Sequence, residues 1–464
     1  MISQHAYHGS WSDRGGLAAS LASAGMSQVA CAEKAGHFAL AVAALAEMSS
    51  AGPVRAFFVP GRIEVLGKHT DYAGGRSLVA AADRGFCLAA RARADRGIRI
   101  RDVRRNEQVD FELSPGLAPQ AGHWSNYPMT VARRLARNFP GADRGADMAF
   151  ASDLPSAAGL SSSSAMMIAV FLALAEINAL YSQEPMRQNV SEVLDLAGYL
   201  GTVENGQTFG SLDGDCGVGT FGGSEDHTAI LTARPGQLSE YSYCPVRFRR
   251  SIPLPAGFIF AIGASGVVAE KTGAAMQRYN AASQLAAALA ELWRRHANRD
   301  DPHLAAALAG GPLVAGLLRR IVRDQTPQGT PAEALIARLE HFIAENQQIL
   351  PAACDALIHR DLMAFGTWVD RSQQAAERLL GNQVPETIYL AASARTEGAA
   401  AASAFGAGFG GSVWALVEAS AATEFLERWA NAYHLRFPER AQTSCFFLTG
   451  AGTAAFGLTE GGEL

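Results

Sequence analysis

The sequence predicts an α+β fold in two lobes, on three observations. The chain has 464 residues, room for two or three domains. Apolar residues make up 48% and charged residues 18%, the balance of a globular protein with substantial cores. Strand-like and helix-like segments are mixed along it without regular βαβ alternation, which favours sheets and helices gathered separately.

Residues 1–50 begin polar and become Ala-rich, and a helix is expected from Ala32 to Met48. Val54–Val59 and Ile63–Leu66 read as strands split by a Pro60-Gly61 turn signal. Ser77–Ala82, Cys87–Ala92 and Ile98–Val103 continue the β pattern, with a turn at Asp83, Arg84 and Gly85. A second region, Asp147 to Leu231, holds a short strand, a Gly/Ser loop and an apolar helix from Ser163 to Leu180. A helix from Ser191 to Val203 and a Gly-rich loop through Gly223 follow. Beyond Cys244, strand Phe258–Gly263 precedes helices over Lys271–Arg295, Leu304–Val322, Ala332–Asn346 and Ala353–Leu380. The chain closes with an Ala-rich helix Pro385–Ala404, a glycine loop, strand Val413–Val417, helix Ala421–Tyr433 and strand Ser444–Leu448.

Composition narrows the function. A net charge of −5 gives no global attraction to nucleic acid or anionic membranes. The six cysteines form no CxxC, so neither a zinc site nor a redox motif is indicated, and reduced thiols are expected. The first eight residues lack the basic start and apolar core of a signal peptide. The longest apolar run, Ala165 to Ala175, is shorter than the roughly 18 residues a membrane span needs. A soluble, cytoplasmic protein is expected.

Chemistry concentrates in three places. The first is the segment from Pro60 to Gly75, where Arg62 and Glu64 share a strand face ahead of a loop carrying Lys68, His69, Asp71 and Tyr72. Carboxylates that accept and ammonium or imidazole groups that donate suit a polyhydroxylated ligand, although a solvated loop closed by Gly74-Gly75 would read the same way. The second is Leu154-Pro-Ser-Ala-Ala-Gly-Leu-Ser-Ser-Ser-Ser-Ala165, leading straight into a helix. Small residues and unpaired amides at a helix start favour an anion, and serine hydroxyls can ligate magnesium. No Gly-Lys-Ser/Thr ends the loop, so it is not a Walker A motif, and serine capping of a buried helix is the plain alternative. The third, Gly406 to Ser412, satisfies GxGxxG. It lacks the required context, because a helix is expected before it and a strand after it. C-capping would explain it as a tight helix-to-strand loop.

In this order the three segments resemble the GHMP kinase superfamily, and its galactokinase branch most closely. The branch's first motif reads Gly-Arg-Val-Asn-Leu-Ile-Gly-Glu-His-Thr-Asp-Tyr-Asn-Gly-Gly, and this sequence shares Gly61, Arg62, Gly67, His69, Thr70, Asp71, Tyr72, Gly74 and Gly75. The second segment is similar to the family's Pro-x-x-x-Gly-Leu-Ser-Ser-Ser phosphate loop, the third to its Gly-Gly-Gly-Phe-Gly-Gly. The resemblance implies a two-lobed GHMP-kinase-like fold of mixed sheets and helices, with the active site between the lobes and ATP with Mg2+ as co-substrate. It divides the chain into an N-terminal helical extension (1–50), an N-terminal lobe (51–245) and a C-terminal lobe (246–464).

The resemblance also implies site residues. Pro155, Gly159, Leu160, Ser161, Ser162, Ser163, Ser164 and Ala165 would hold the nucleotide phosphates, with Ser163 and Glu204 on magnesium. Asp226, in Gly222-Gly-Ser-Glu-Asp226-His, would be the base, with His227 where the family has Gln. Arg62 would keep Asp226 ionised and stabilise the transferring phosphoryl, and Lys68, His69, Asp71 and Gly223 would contact the sugar. The chain is longer than family members between Glu204 and Asp226, which leaves Asp213 and Asp215 as rival bases.

Two departures stand out: Glu64 replaces the family Asn, and Lys68 the family Glu. A donor-only cation in place of an acceptor-only anion reverses the recognition chemistry. The implied reaction is ATP-dependent phosphorylation of the anomeric hydroxyl of a small-molecule sugar, with no nucleic-acid or membrane partner. Alternatives are an acidic sugar such as galacturonate, paired with Lys68, or a non-catalytic sugar- and ATP-binding regulator. The complete set of Arg62, Ser163, Glu204 and Asp226 favours an enzyme. Equally, Lys68 could pair with Glu64 or point to solvent while galactose still binds.

Overall fold

The computed structural model describes residues 2–49, 52–120, 122–155, 158–268, 273–324, 331–406 and 408–460. Its strands are β1 Ser3–Tyr7, β2 Arg55–Leu66, β3 Arg76–Ala92, β4 Gly97–Asp102, β5 Glu107–Glu112, β6 Ala146–Ser152, β7 Gln237–Ser242, β8 Arg247–Pro253, β9 Phe258–Ala264, β10 Ala401–Ala404, β11 Ser412–Glu418, β12 Cys445–Thr449 and β13 Phe456–Glu460. Nine of them form one sheet in the order β1-β13-β2-β3-β6-β4-β5, with β7 on β3 and β8 on β7. The other four form a second sheet, β10-β11-β9-β12. Sheets and helices are therefore mixed as α+β architecture requires.

β2 and β3 are each continuous, which corrects two turns expected at Pro60-Gly61 and at Asp83–Gly85. Pro60 lies opposite Gly85, and the register shifts between Pro60 and Arg62. Proline is tolerated at such a bulge because the ladder bond its nitrogen cannot donate is already interrupted there. Glycine is needed at both positions for close approach. A Cβ on Gly61 would lie 2.6 Å from Leu154 Cδ2 and 2.9 Å from the Leu160 carbonyl, and one on Gly85 would lie 2.4 Å from the Val59 carbonyl. Thus the Gly/Ser loop crosses β2 at Gly61, and the Arg62 N–H donates to the Leu160 carbonyl at 3.0 Å. That bulge is what aims the next residues at the site.

Helix Gln28–Met48, preceded by Arg14–Ser23, covers one face of the large sheet through Leu17, Leu21, Phe38 and Leu45 against Phe58, Cys87 and Phe456. At 21 residues, Gln28–Met48 is the one helix among the described residues long and apolar enough to cross a membrane. It nevertheless carries Lys34, buried with its ammonium 2.5 Å from Asp153. Helix Ser162–Ile177 packs against β2 and β3 within the main core, buried along nearly all its length.

Three helices expected as long pieces are interrupted. Leu304–Leu308 and Pro312–Asp324 are separated by Gly310 and Gly311, the latter at φ 81°. Leu350–Ile358 and Leu362–Ala375 are separated at Arg360, with Asp361 capping the second through the Ala364 N–H. The Ala-rich helix runs only from Pro385 to Thr396, and Ala401–Ala404 is a buried strand paired with β11. Gly398, at φ 107°, ends the helix, and pairing with β11 overrides the helical preference of alanine. The Gly406–Ser412 loop therefore joins two antiparallel strands. The dinucleotide context fails because no helix follows the loop, not because a helix precedes it. All six cysteines are free.

Candidate active site

β2 ends by placing Arg62 and Glu64 on the wall of a cavity, and the loop after it adds His69, Asp71 and Tyr72. Helix Val193–Asn205 contributes Glu204 and the first turn of helix Glu225–Thr232 contributes Glu225 and Asp226. Tyr279 closes one side from helix Gly273–Ala297, and Gly406 another.

Arg62 is the hub. Its Nη1 donates to the Gly159 carbonyl of the Gly/Ser loop at 2.8 Å, its Nη2 donates to Glu64 at 3.1 Å, and its Nε lies 2.8 Å from Asp226 and 3.4 Å from Glu225. Burial opposes its charge, but Asp226, Glu64 and Glu225 outweigh that and raise its pKa. Glu225 itself is pushed well above the carboxylate range, first by burial and then by Glu64. Asp71 is pushed up to about 6 by burial, against the lowering effect of hydrogen bonds from the Glu225 and Tyr72 amides. The Glu225 N–H donates to Asp71 Oδ2 at 3.2 Å. Gly223 is fixed by the same packing, since a Cβ there would lie 2.4 Å from that oxygen.

His69 adopts φ 56° and its Nδ1 lies 2.8 Å from the Tyr72 hydroxyl. Arg338 holds the turn by donating to the His69 carbonyl and, at 3.3 Å, to the Tyr72 hydroxyl.

The Gly/Ser loop enters its helix through Ser161, left-handed at φ 59°, with the helix beginning at Ser162. Ser164, fully buried, donates to Glu204 Oε2 at 2.7 Å and to Asp226 Oδ2 at 3.4 Å. Adjacent helical residues point about 100° apart, so Ser164, and not the neighbouring Ser163 expected on magnesium, is the serine bonded to Glu204 here. Gly159, Leu160, Ser161, Ser162 and Ala165 stand in the same loop and helix start. Pro155 precedes residues 156–157, which lie outside the described residues.

Lys68 departs furthest from expectation. It is fully buried, and its ammonium donates to Ser372 Oγ at 3.1 Å and Ser403 Oγ at 2.9 Å, away from the cavity. It neither pairs with Glu64 nor meets solvent. Asp215 pairs with Arg133 at 2.7 Å and the Asp213 carbonyl accepts from Asn138, so neither rival base reaches the cavity, whereas Asp226 does.

The third motif bridges the other two. Ser412 donates to the Ala158 carbonyl, and a Cβ on Gly406 would fall 2.3 Å from the Glu64 carboxylate. Glu225 and Tyr279 were not foreseen as site residues. Glu225 adjoins a residue that was, but Tyr279 arrives from a distant helix and no local signal marks it.

Magnesium fits this donor set. Glu204 lines the cavity and offers a hard oxygen, with the buried Ser164 hydroxyl bonded to it, and Mg2+ ordinarily takes one or two protein oxygens, completing its shell with phosphates and water. Among the described residues no cluster of three or more His, Cys, Asp or Glu would hold a metal by itself.

Comparison with known proteins bears on the same segments. The GHMP kinases N-terminal domain matches residues 126–213, the galactokinase galactose-binding signature residues 46–92, and the GHMP kinases C-terminal domain residues 353–435. A galactokinase of Chloroflexus aggregans is 29% identical over 83% of this chain and 89% of its own length. One of Roseiflexus sp. is 28% identical over 81% and 86%. Among solved structures, Lactococcus lactis galactokinase complexed with galactose superposes with a TM-score of 0.69 at 23% identity, covering 89% of this chain and 97% of that one.

Proposed function

Because the chain belongs to the GHMP kinases, among their galactokinase-like sugar kinases, we propose that it transfers the γ-phosphoryl group of ATP to the anomeric hydroxyl of a hexose held in the cavity. The observation that carries this is the position of Arg62, which bonds the Gly/Ser loop through Gly159 and lies 2.8 Å from Asp226.

Asp226 orients the acceptor hydroxyl and accepts its proton as the sugar oxygen bonds to the γ-phosphorus. The bond from that phosphorus to the β-phosphate oxygen breaks and ADP leaves. Phosphoryl transfer asks mostly for positioning and charge neutralisation. Arg62, locked between Asp226 and the loop carbonyl, presents a fixed positive charge to the transferring group without reorganising. Amides at the start of helix Ser162–Ile177 face the phosphates. Magnesium held by Ser164 and Glu204 would supply neutralisation of the β- and γ-oxygens. His69, Asp71 and Tyr279 line the sugar side.

An acidic sugar loses its motive here, because the Lys68 ammonium that would pair with its carboxylate is turned away. The test is ATP consumption with magnesium across galactose, glucose, arabinose and galacturonate, with the phosphorylated position read by NMR. Turnover of a neutral hexose to its 1-phosphate is expected. Absence of sugar-dependent turnover with every sugar would overturn the assignment.

A further inference from the structure

The stretch between Glu204 and Asp226 holds a buried ionic group that the reaction above leaves unused. Asp215 does not line the cavity, yet its side chain is only 3% exposed, and that of Arg133, from helix Asn126–Asn138, only 7%. Arg133 Nε donates to Asp215 Oδ2 at 2.7 Å and Nη2 donates to the Gly217 carbonyl at 3.2 Å. The other carboxylate oxygen, Oδ1, accepts the Gly217 N–H at 2.8 Å and lies 3.9 Å from Arg134 Nη1. Gly217 is therefore gripped at both of its backbone polar groups. From the same helix, Arg134 donates to the Gln207 carbonyl at 2.7 Å and Asn138 to the Asp213 carbonyl at 3.1 Å, which gathers the loop against it.

What this grip presents is the next N–H. Glu204 is the penultimate residue of helix Val193–Asn205, where carbonyls have no donor within the helix. The Val218 N–H fills that place by donating to the Glu204 carbonyl at 2.8 Å, and the Asp215 N–H donates to the Gly206 carbonyl at 2.9 Å. The approach leaves no slack. A Cβ on Gly217 would lie 2.3 Å from the Glu204 carbonyl, and one on Gly206, at φ 86°, 2.5 Å from the Asp215 carbonyl. The last turn of a helix opens more readily than its interior, and a misplacement of about 1 Å at a reacting centre can cost on the order of 10²-fold in rate.

We propose that Arg133 and Asp215 are a pair of positioning residues. Through Gly217 and Val218 they lock the last turn of helix Val193–Asn205 and so fix the Glu204 carboxylate on the cavity wall. The pair acts as a unit. Without Arg133, the buried Asp215 keeps only Arg134 at 3.9 Å, and without the Asp215 charge, Arg133 has no carboxylate among the described residues. The inference rests on the reading above that gives Glu204 to magnesium, and it adds two residues that reading does not use.

The experiment reads metal binding apart from turnover. Affinity for Mn2+ together with the β,γ-imido analogue of ATP is measured by EPR on the full chain without sugar, and KM is measured for MgATP and for galactose. In Asp215→Asn and Arg133→Met, Mn2+ affinity should fall by about tenfold or more, as when a metal ligand loses its support. KM for MgATP should rise while KM for galactose holds, and the double variant should be no worse than Arg133→Met alone. Lys34→Met, which loosens the fold elsewhere, should leave Mn2+ affinity unchanged, and an equal fall there would overturn the proposal. Should neither variant fold, amide exchange in the wild type decides. The Val218 N–H should exchange roughly a hundredfold more slowly than in an unstructured peptide, and exchange at the unstructured rate overturns the proposal. Unchanged Mn2+ affinity in both variants, with galactose still turned over, overturns the positioning role and leaves the kinase standing. No turnover of any sugar by the wild type overturns the kinase reading, while the Mn2+ affinities still decide the pair.

Discussion

Two buried ionic groups show how differently one chain treats charge. Beneath the N-terminal helix, Lys34 and Asp153 pair at 2.5 Å, with Glu33 3.6 Å from the lysine and Arg84 4.0 Å from the aspartate, and the remaining Asp153 oxygen accepts the Gly85 amide at 2.9 Å. Every capacity of that carboxylate is met. In the cavity, Arg62 is shared among Glu64, Glu225 and Asp226 while Asp71 and Glu204 crowd the same space. The first group is balanced and ties residues of the N-terminal segment to the end of β6, just ahead of the Gly/Ser loop. The second is unbalanced, and an unbalanced buried cluster persists where a ligand completes it. Balance marks the structural group and imbalance the working one, and the difference can be broken experimentally.

The largest effect should come from the cavity. Asp226→Asn keeps the shape but removes the proton acceptor, and kcat should drop by about 10²–10⁴-fold. Because the cluster is over-supplied with carboxylates, thermal stability should hold or rise. A melting temperature that collapses along with kcat would mean Asp226 serves the fold as Asp153 does.

Lys34→Met is the converse. It leaves the buried Asp153 charge with only Arg84 at 4.0 Å and should destabilise the protein by about 3–5 kcal/mol. Adding Asp153→Asn removes that charge while keeping an acceptor for the Gly85 amide, and should recover much of the loss. Denaturant titration reads both, and KM for the sugar should not change in the molecules that stay folded. If the double variant is no better than the single one, the loss is packing and not charge.

How much of this was legible beforehand follows from which interactions are local. The three glycine- and serine-rich segments could be found because their chemistry is concentrated in consecutive residues, and the structure does bring Arg62, Gly159, Asp226 and Gly406 together. Pro60-Gly61 and Gly85 could not be read correctly, since glycine marks a turn and a tight strand crossing with the same letter. Ala401–Ala404 looks helical until β11 is there to pair with it. β1, β13 and helix Glu225–Thr232 are short and carry little periodicity. Which serine bonds Glu204 depends on helical phase, which four identical residues hide. The buried fate of Lys68 depends on two serines more than 300 positions away in sequence.

Lys68→Met therefore tests placement. It removes two buried hydroxyl contacts and should cost about 1–3 kcal/mol of stability. The ratio of galacturonate to galactose turnover should stay put. A tenfold change in that ratio would bring the ammonium back into the cavity and erase the contrast between it and Arg62.

The smallest effect lies in pH. Burial raises the Asp71 carboxyl from 3.8 to about 6, so between those values the folded protein holds a proton that the unfolded chain has released. The stabilisation this gives is complete below about pH 4 and is lost as pH rises through about 6. Its slope is bounded by one proton, about 1.4 kcal/mol per pH unit. Comparing the melting temperatures of the protein and of Asp71→Asn from pH 4 to 7 isolates this contribution. The two curves should converge toward pH 4 and separate as pH rises to about 6, with the variant the more stable above that. A difference that stays constant across the range would show that Asp71 is ionised throughout, and would place it with Asp153 among carboxylates whose charge the fold already balances.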